Sequence, residues 1–262
     1  MPRAFTRAVS PRLSECELTH LQRVPIDAAK AERQHADYEQ ALADAGAQVI
    51  RLPELADHPD AVFVEDTALI VDGHALISRP GVASRASETD STADGLRGHF
   101  EVRQLDSGYL DGGDVLRIGR TLYVGRSTRT DAAGIKVLRA LLATLGYSVV
   151  EARLRDCLHL KSGATFAGQD ASGTPVLLYS HASVDPAQFR GVEPLAVAED
   201  EPAAANCLRV AERLILPAGN PRTASLLRTR GFVVTEVDVS ELQKAEAGVT
   251  CMSLIDSGET GP

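Results

Sequence analysis

The chain has 262 residues, 44% of them hydrophobic and 24% charged, as in ordinary soluble globular proteins. Its formal net charge of −9 argues against a nucleic-acid surface, which is normally basic. No stretch approaches the roughly 20 apolar residues of a membrane span.

The first twenty residues lack an apolar signal core, which predicts a cytoplasmic protein. Four cysteines occur, Cys16, Cys157, Cys207 and Cys251, with no CxxC or Cys/His spacing of a zinc site. Reduced thiols and no bound metal are therefore expected. The first periodic segment, DAAKAERQHADYEQALADAG, predicts a helix with Asp27 as N-cap and Gly46 as its stop. Residues 61–71 then read AVFVEDTALIV, a strand-like apolar run with Glu65 and Asp66 in its middle. A buried ionised carboxylate is costly unless something pairs with it. The run therefore calls for a cation.

From Asp66 the chain reads DTALIVDGHALISRPG, and from Asp114 it reads DVLRIGRTLYVGRSTRT. A third such segment, CLRVAERLILPAGNPRT, starts at Cys207. Each has two β-rich runs around a tight polar turn and a Gly, Pro, Ser or Arg-rich exit. Between the second and third lies another apolar block, CLHLKSGATFAG followed by TPVLLYS. The segments RTDAAGIKVLRALLATLG and NPRTASLLRTRG predict further helices that end in glycine. Asp66 and Asp114 are 48 residues apart, as are Asp111 and His159, and His159 and Cys207; Cys251 follows after 44. A period of this length signals repeated units of hairpin, helix and strand. In a closed ring of such units, equivalent positions meet near the axis.

The residues at those positions can do chemistry together. Cys251 in GVTCMSLID stands at a loop-to-strand junction, His159 sits between two leucines, and Asp111 precedes two glycines that let backbone approach closely. A thiol, an imidazole and a carboxylate make a nucleophile, a proton shuttle and an orienter. Each alone has a plainer reading: a small buried hydrophobe, a satisfied core histidine, and a turn with solvated acids. No P-loop or Rossmann pattern occurs, and no cofactor is expected.

The motifs FVEDTALI, SRPGVASR, YLDGGDVL, GRSTRT, CLHLKSG, AAANC and VTCMSL occur in that order. Together, over about residues 15–255, they resemble the dimethylarginine dimethylaminohydrolases of the guanidino-modifying pentein superfamily. The resemblance implies an α/β fold, a five-bladed propeller of ββαβ units about a pseudo-fivefold axis, as one catalytic domain over residues 1–262. It implies a small cationic guanidino substrate and conversion of methylated arginines to citrulline. Cys251 would be the nucleophile, His159 the acid and base, and Asp111 its orienter, in a family position that carries Glu or Asp. Asp60 and Asp66 would hold the guanidinium, with Glu65 lining the same pocket. Strand parity sets Glu65 on the opposite face, so the segment must bend. Arg85 and Arg129 would grip the amino-acid end, while Leu18 and Ala245 would touch substrate through backbone or a mobile loop.

The acids around Cys251 oppose its ionisation, so the free enzyme is expected to hold a thiol that substrate binding activates. The alternatives are arginine deimination or amidino transfer on the same scaffold, a non-catalytic pentein that binds a protein partner, and a sensor that binds without turnover. Deiminases usually carry an extra helical domain, for which this chain lacks room. The net charge leaves monomer and homodimer both open.

Overall fold

The computed structural model describes residues 1–258. In chain order its elements are β1 (Arg3–Thr6), α1 (Ala28–Asp44) and β2 (Gln48–Arg51), then β3 (Ala68–Val71), β4 (His74–Ile77), α2 (Glu88–Leu96) and β5 (Glu101–Gln104). β6 (Val115–Ile118), β7 (Thr121–Arg126), α3 (Ala132–Ala143) and β8 (Ser148–Arg153) follow. Next come α4 (Leu160–Gly163), β9 (Ala164–Gln169), β10 (Pro175–Tyr179) and β11 (Glu193–Ala196). The last are β12 (Leu208–Val210), β13 (Arg213–Pro217), α5 (Pro221–Thr229), β14 (Val233–Val237), α6 (Ser240–Gln243) and β15 (Leu254–Asp256).

These strands form five three-stranded sheets, each built alike. The first strand pairs antiparallel with the second, which pairs parallel with the third. The fifth sheet is made by both ends of the chain, with β1 between β15 and β2. The middle strands read as apolar runs because they are hydrogen-bonded on both sides and covered on both faces. The first strands face inward: β15 packs on β3, and β9 lies against both β6 and β12. This is the five-bladed propeller that the resemblance implies.

Helices cover four of the sheets, α1 on β2, α2 on β4, α3 on β8 and α5 on β14, and α3 does so through an apolar stripe. On α3 the stripe is Ile135, Leu138 and Leu142, at helical spacing, and burying each side chain contributes about 1.5–3 kcal/mol. Asp27 does cap α1, accepting from the Lys30 amide, and Gly46 ends it at φ 91°. The unit of β9–β11 departs from the pattern. No long helix joins β10 to β11, only a 3-10 turn at Pro186–Gln188, and Val184 and Phe189 cover that sheet instead. The run 61–71 is also not one strand: Val64–Thr67 is a turn of 3-10 helix, and only Ala68–Val71 extends into the sheet.

Candidate active site

Each inner strand is entered through a short turn, and these turns carry the chemistry. They are Val64–Thr67 before β3, Gly112–Asp114 before β6, α4 before β9, Pro202–Ala205 before β12, and residues 248–252 before β15. The first packs on the second, the second on α4, and α4 on the fourth. The Glu65 amide donates to the Cys251 carbonyl at 3.1 Å, so the fifth turn meets the first. Close packing of five equivalent turns is what the 48-residue spacing encodes. It demands small residues: a side chain on Gly113 would lie 2.7 Å from His159 Nδ1 and 2.8 Å from Asp66 Oδ1.

His159 is buried at the start of α4, whose first amide, Leu160 N, is capped by Asp114 Oδ1 at 3.0 Å. Its Nε2 lies 3.1 Å from Asp111 Oδ2 and its Nδ1 3.8 Å from Asp66 Oδ1. Asp111 is itself fixed: its other oxygen accepts from Gly81 N, and its amide donates to Thr130 Oγ1. Burial would lower the His159 pKa, but Asp66, Asp111 and Asp114 outweigh it and raise it to about 9. Asp66 is pushed up by burial, yet His159, Arg85 and the Gly113 amide hold it below the usual carboxylate range. Arg85 Nη1 meets Asp66 Oδ2 at 2.6 Å, and Arg85 also binds Glu88 and the Phe63 carbonyl. The cation that the buried run calls for is thus, for Asp66, an arginine of the chain itself.

Glu65 departs from its expected place. It does not line the cavity beside Cys251. Its carboxylate accepts from Lys161 Nζ at 2.6 Å and from the Thr250 hydroxyl at 2.7 Å, and burial still pushes its pKa up. The 3-10 turn explains this, because consecutive residues there point about a third of a turn apart. The bend that strand parity demanded is real, and it turns Glu65 toward Lys161 and Thr250, next to Cys251. Cys251 accepts from the Gly248 amide at 3.3 Å. Burial, Glu65 and Asp66 push its thiol up to about 12. All four cysteines are free, and burial raises Cys16, Cys157 and Cys207 to about 11.

Cys251, His159, Asp60, Asp66, Arg85, Arg129 and Ala245 line one cavity of about 20 Å³, room for a water molecule and not for an arginine side chain. Asp111 stands behind His159, out of the cavity wall. The Asp60 carboxylate accepts only the Glu17 amide among the described residues, and burial raises its pKa to about 6. Arg129 reaches Thr19 Oγ1 at 2.9 Å. Residues 17–21 close the mouth. Glu17 is tied to Asp60 and Ser84, and the Glu246 carboxylate accepts the amides of Thr19, His20 and Leu21. Leu18 lies within this strap and, like Glu65, is not part of the cavity wall. A roomier groove, about 490 Å³ near Ser10, His35, Arg51 and Ala56, contains neither Cys251 nor His159. Asp66, Asp111 and His159 offer ligand atoms within 4.8 Å of one another, spacing a cation could use. Arg85 and His159 already serve as the cations there.

Two residues of the site carried little signal in the sequence. Lys161, inside CLHLKSG, reads as a solvated lysine. Asn206, inside AAANC, is overshadowed by Cys207. Asn206 donates to the Lys161 carbonyl and to Thr250 Oγ1, and accepts from the Thr250 amide.

No protein-family model matches the chain. Individual relatives do. It is 38% identical over 254 residues to N(G),N(G)-dimethylarginine dimethylaminohydrolase of Streptomyces coelicolor, covering 96% of each chain. It is 37% identical over 231 residues to the enzyme of that name from Pseudomonas aeruginosa, covering 87% of this chain and 89% of that one. A structure of the Pseudomonas aeruginosa enzyme, in complex with citrulline, superposes with a TM-score of 0.90 at 33% identity, over 97% of this chain and 98% of the other.

Proposed function

The chain belongs to the dimethylarginine dimethylaminohydrolase family, and on that premise we propose that it hydrolyses N-omega-methylated arginines to citrulline and dimethylamine or methylamine. The observation that carries this reading is the convergence of Cys251 and His159 with two buried carboxylates, Asp60 and Asp66, on one cavity. The substrate guanidinium would pair with Asp60, whose carboxylate accepts the Glu17 amide and forms no ion pair among the described residues, and with Asp66. Arg129 would take the substrate carboxylate. Arg85 keeps Asp66 ionised, and its own donors are largely engaged by Asp66, Glu88 and carbonyls. Leu18 and Ala245 would touch the amino-acid end from the two loops that close the mouth. All of this lies in one catalytic domain.

Entry of the substrate cation offsets the acids that hold the Cys251 thiol protonated, and the thiol releases its proton to solvent. The thiolate attacks the central guanidinium carbon. His159, as imidazolium, protonates the departing amine, and the C–N bond breaks. A thiouronium remains on Cys251. Neutral His159 then takes a proton from water, the hydroxide attacks, and the C–S bond breaks to release citrulline. Asp111 holds the imidazole in place throughout.

The test is citrulline release from asymmetric dimethylarginine, monomethylarginine and arginine side by side, with Cys251→Ser as control. Turnover of the methylated substrates, little from arginine and none from the variant is expected. Arginine turned over best would move the assignment to deimination. No turnover of any substrate by folded protein would leave a binding role.

A further inference from the structure

Behind the nucleophile lies a second polar network that the reaction scheme does not use. Lys161, on α4 two residues past His159, donates to Glu65 Oε1 at 2.6 Å. Thr250, next to Cys251, donates to Glu65 Oε2 at 2.7 Å. Asn206 joins the two, with bonds of 2.9 Å to the Lys161 carbonyl and 3.0 Å to Thr250 Oγ1. The Glu65 amide holds the Cys251 carbonyl. Lys161 is largely buried, with 16% of its side chain exposed, and the Glu65 side chain is 9% exposed. Three turns from different units, bearing the acid–base, the guanidinium carboxylate and the nucleophile, are thereby tied at one point.

We propose that Lys161 is a positioning residue for the reaction: with Asn206 it locks the Cys251 turn against α4, and its ammonium offsets the Glu65 carboxylate so that a thiolate can form beside it. The inference rests on Cys251 as the nucleophile. Both Glu65 oxygens accept hydrogen bonds, from an ammonium and from a hydroxyl that itself accepts from Asn206, which is the pattern of an ionised carboxylate. Glu65 and Asp66 from the first turn, Lys161 from α4 and the Tyr38 phenol from α1 act on Cys251, and His159, Glu17, Asp60, Arg85, Arg129 and Glu246 share its cavity. Glu65 opposes its ionisation most strongly among the charges, and Lys161 works the other way. A purely structural tie would give both members of the pair the same sign of effect. The charge role gives them opposite signs.

Iodoacetamide labelling of Cys251 in the full chain, followed by mass spectrometry across pH 6–10, reads this without substrate. It can therefore fail while citrulline release succeeds, and the reverse. Glu65→Gln should label faster than the parent at every pH. Lys161→Met should label slower, by about tenfold for each unit the thiol pKa rises, with a deficit that widens as the unpaired Glu65 ionises. Lys161→Arg should stay near the parent, and the Lys161→Met/Glu65→Gln double variant should recover most of the loss. Glu65→Gln no faster than the parent would overturn the proposal, even if Lys161→Met did not fold. So would a double variant as slow as Lys161→Met.

Discussion

His159 is held by three acids, and this sets a pH signature at the scale of one residue. Burial alone would favour the neutral ring, yet the folded pKa is raised to about 9 from 6.5. A raised histidine pKa stabilises the fold fully below about pH 6.5, and that contribution fades as pH climbs through 9. The difference corresponds to roughly 3 kcal/mol, at about 1.4 kcal/mol per unit. Urea unfolding at pH 6 and pH 9.5 should therefore show the parent losing stability that His159→Asn does not lose. Equal losses in both proteins would mean that the carboxylates around His159 do not hold it charged. In the proposed reaction the same ring later acts as a base on water. A charged ring cannot, so the proton given to the departing amine is what readies His159 for the second half of the reaction.

At the scale of elements, the strap over the cavity rests on Glu246. This residue has φ 61°, left-handed backbone that a side chain rarely adopts, and its carboxylate gathers three successive amides of residues 19–21. Glu246→Ala should release the strap. KM for the substrate should rise several-fold, and residues 17–24 should exchange amide hydrogens faster, while Cys251→Ser protein keeps its strap. Unchanged exchange in Glu246→Ala would assign the closure to Arg129 and Asp60 instead. The sequence made some elements plain and hid others. The hairpins and α1, α3 and α5 show because turns and apolar stripes are local signals. α2 does not: its segment ETDSTADGL has only Ala93 and Leu96 as buried apolar residues, and its other buried positions are Glu88, Thr89 and Thr92. Thr92 is buried to bond Arg7 and Thr67, partners remote in sequence. Likewise Cys251, His159, Asp111 and Asp66 were legible because their spacing repeats. The ties of Lys161 and Asn206 were not, because their meaning depends on which turns touch.

At the scale of the molecule, the ring closes by strand pairing. β1 lies antiparallel to β15, with Arg3 opposite Asp256 and joined to it by an ion pair of 2.7 Å. The two ends of the described chain thus fall between the first and second strands of the fifth unit. A side chain at Gly258 would come within 3.9 Å of the Met1 carbonyl, so the two ends of the described chain already meet. The equivalent break in the fourth unit falls in the turn between β12 and β13, at the exposed Ala211 and Glu212. Ala211 there has φ 48°, a conformation that costs a non-glycine residue about 1–2 kcal/mol. A permuted chain with new ends between Ala211 and Glu212, and a short Gly/Ser linker from Gly258 to Met1 in place of residues 259–262, keeps every strand pair of the five sheets. It also keeps the five entry turns in place around the axis. Such a protein should unfold in one transition within about 10 °C of the parent and release citrulline at a comparable rate, since one exposed turn is all it gives up. An unfolded permutant would mean that the β12–β13 hairpin must form first for the ring to assemble. A folded but inactive one would mean that Asn206, five residues before Ala211 in the same unit, needs an intact hairpin to hold Thr250 beside Cys251.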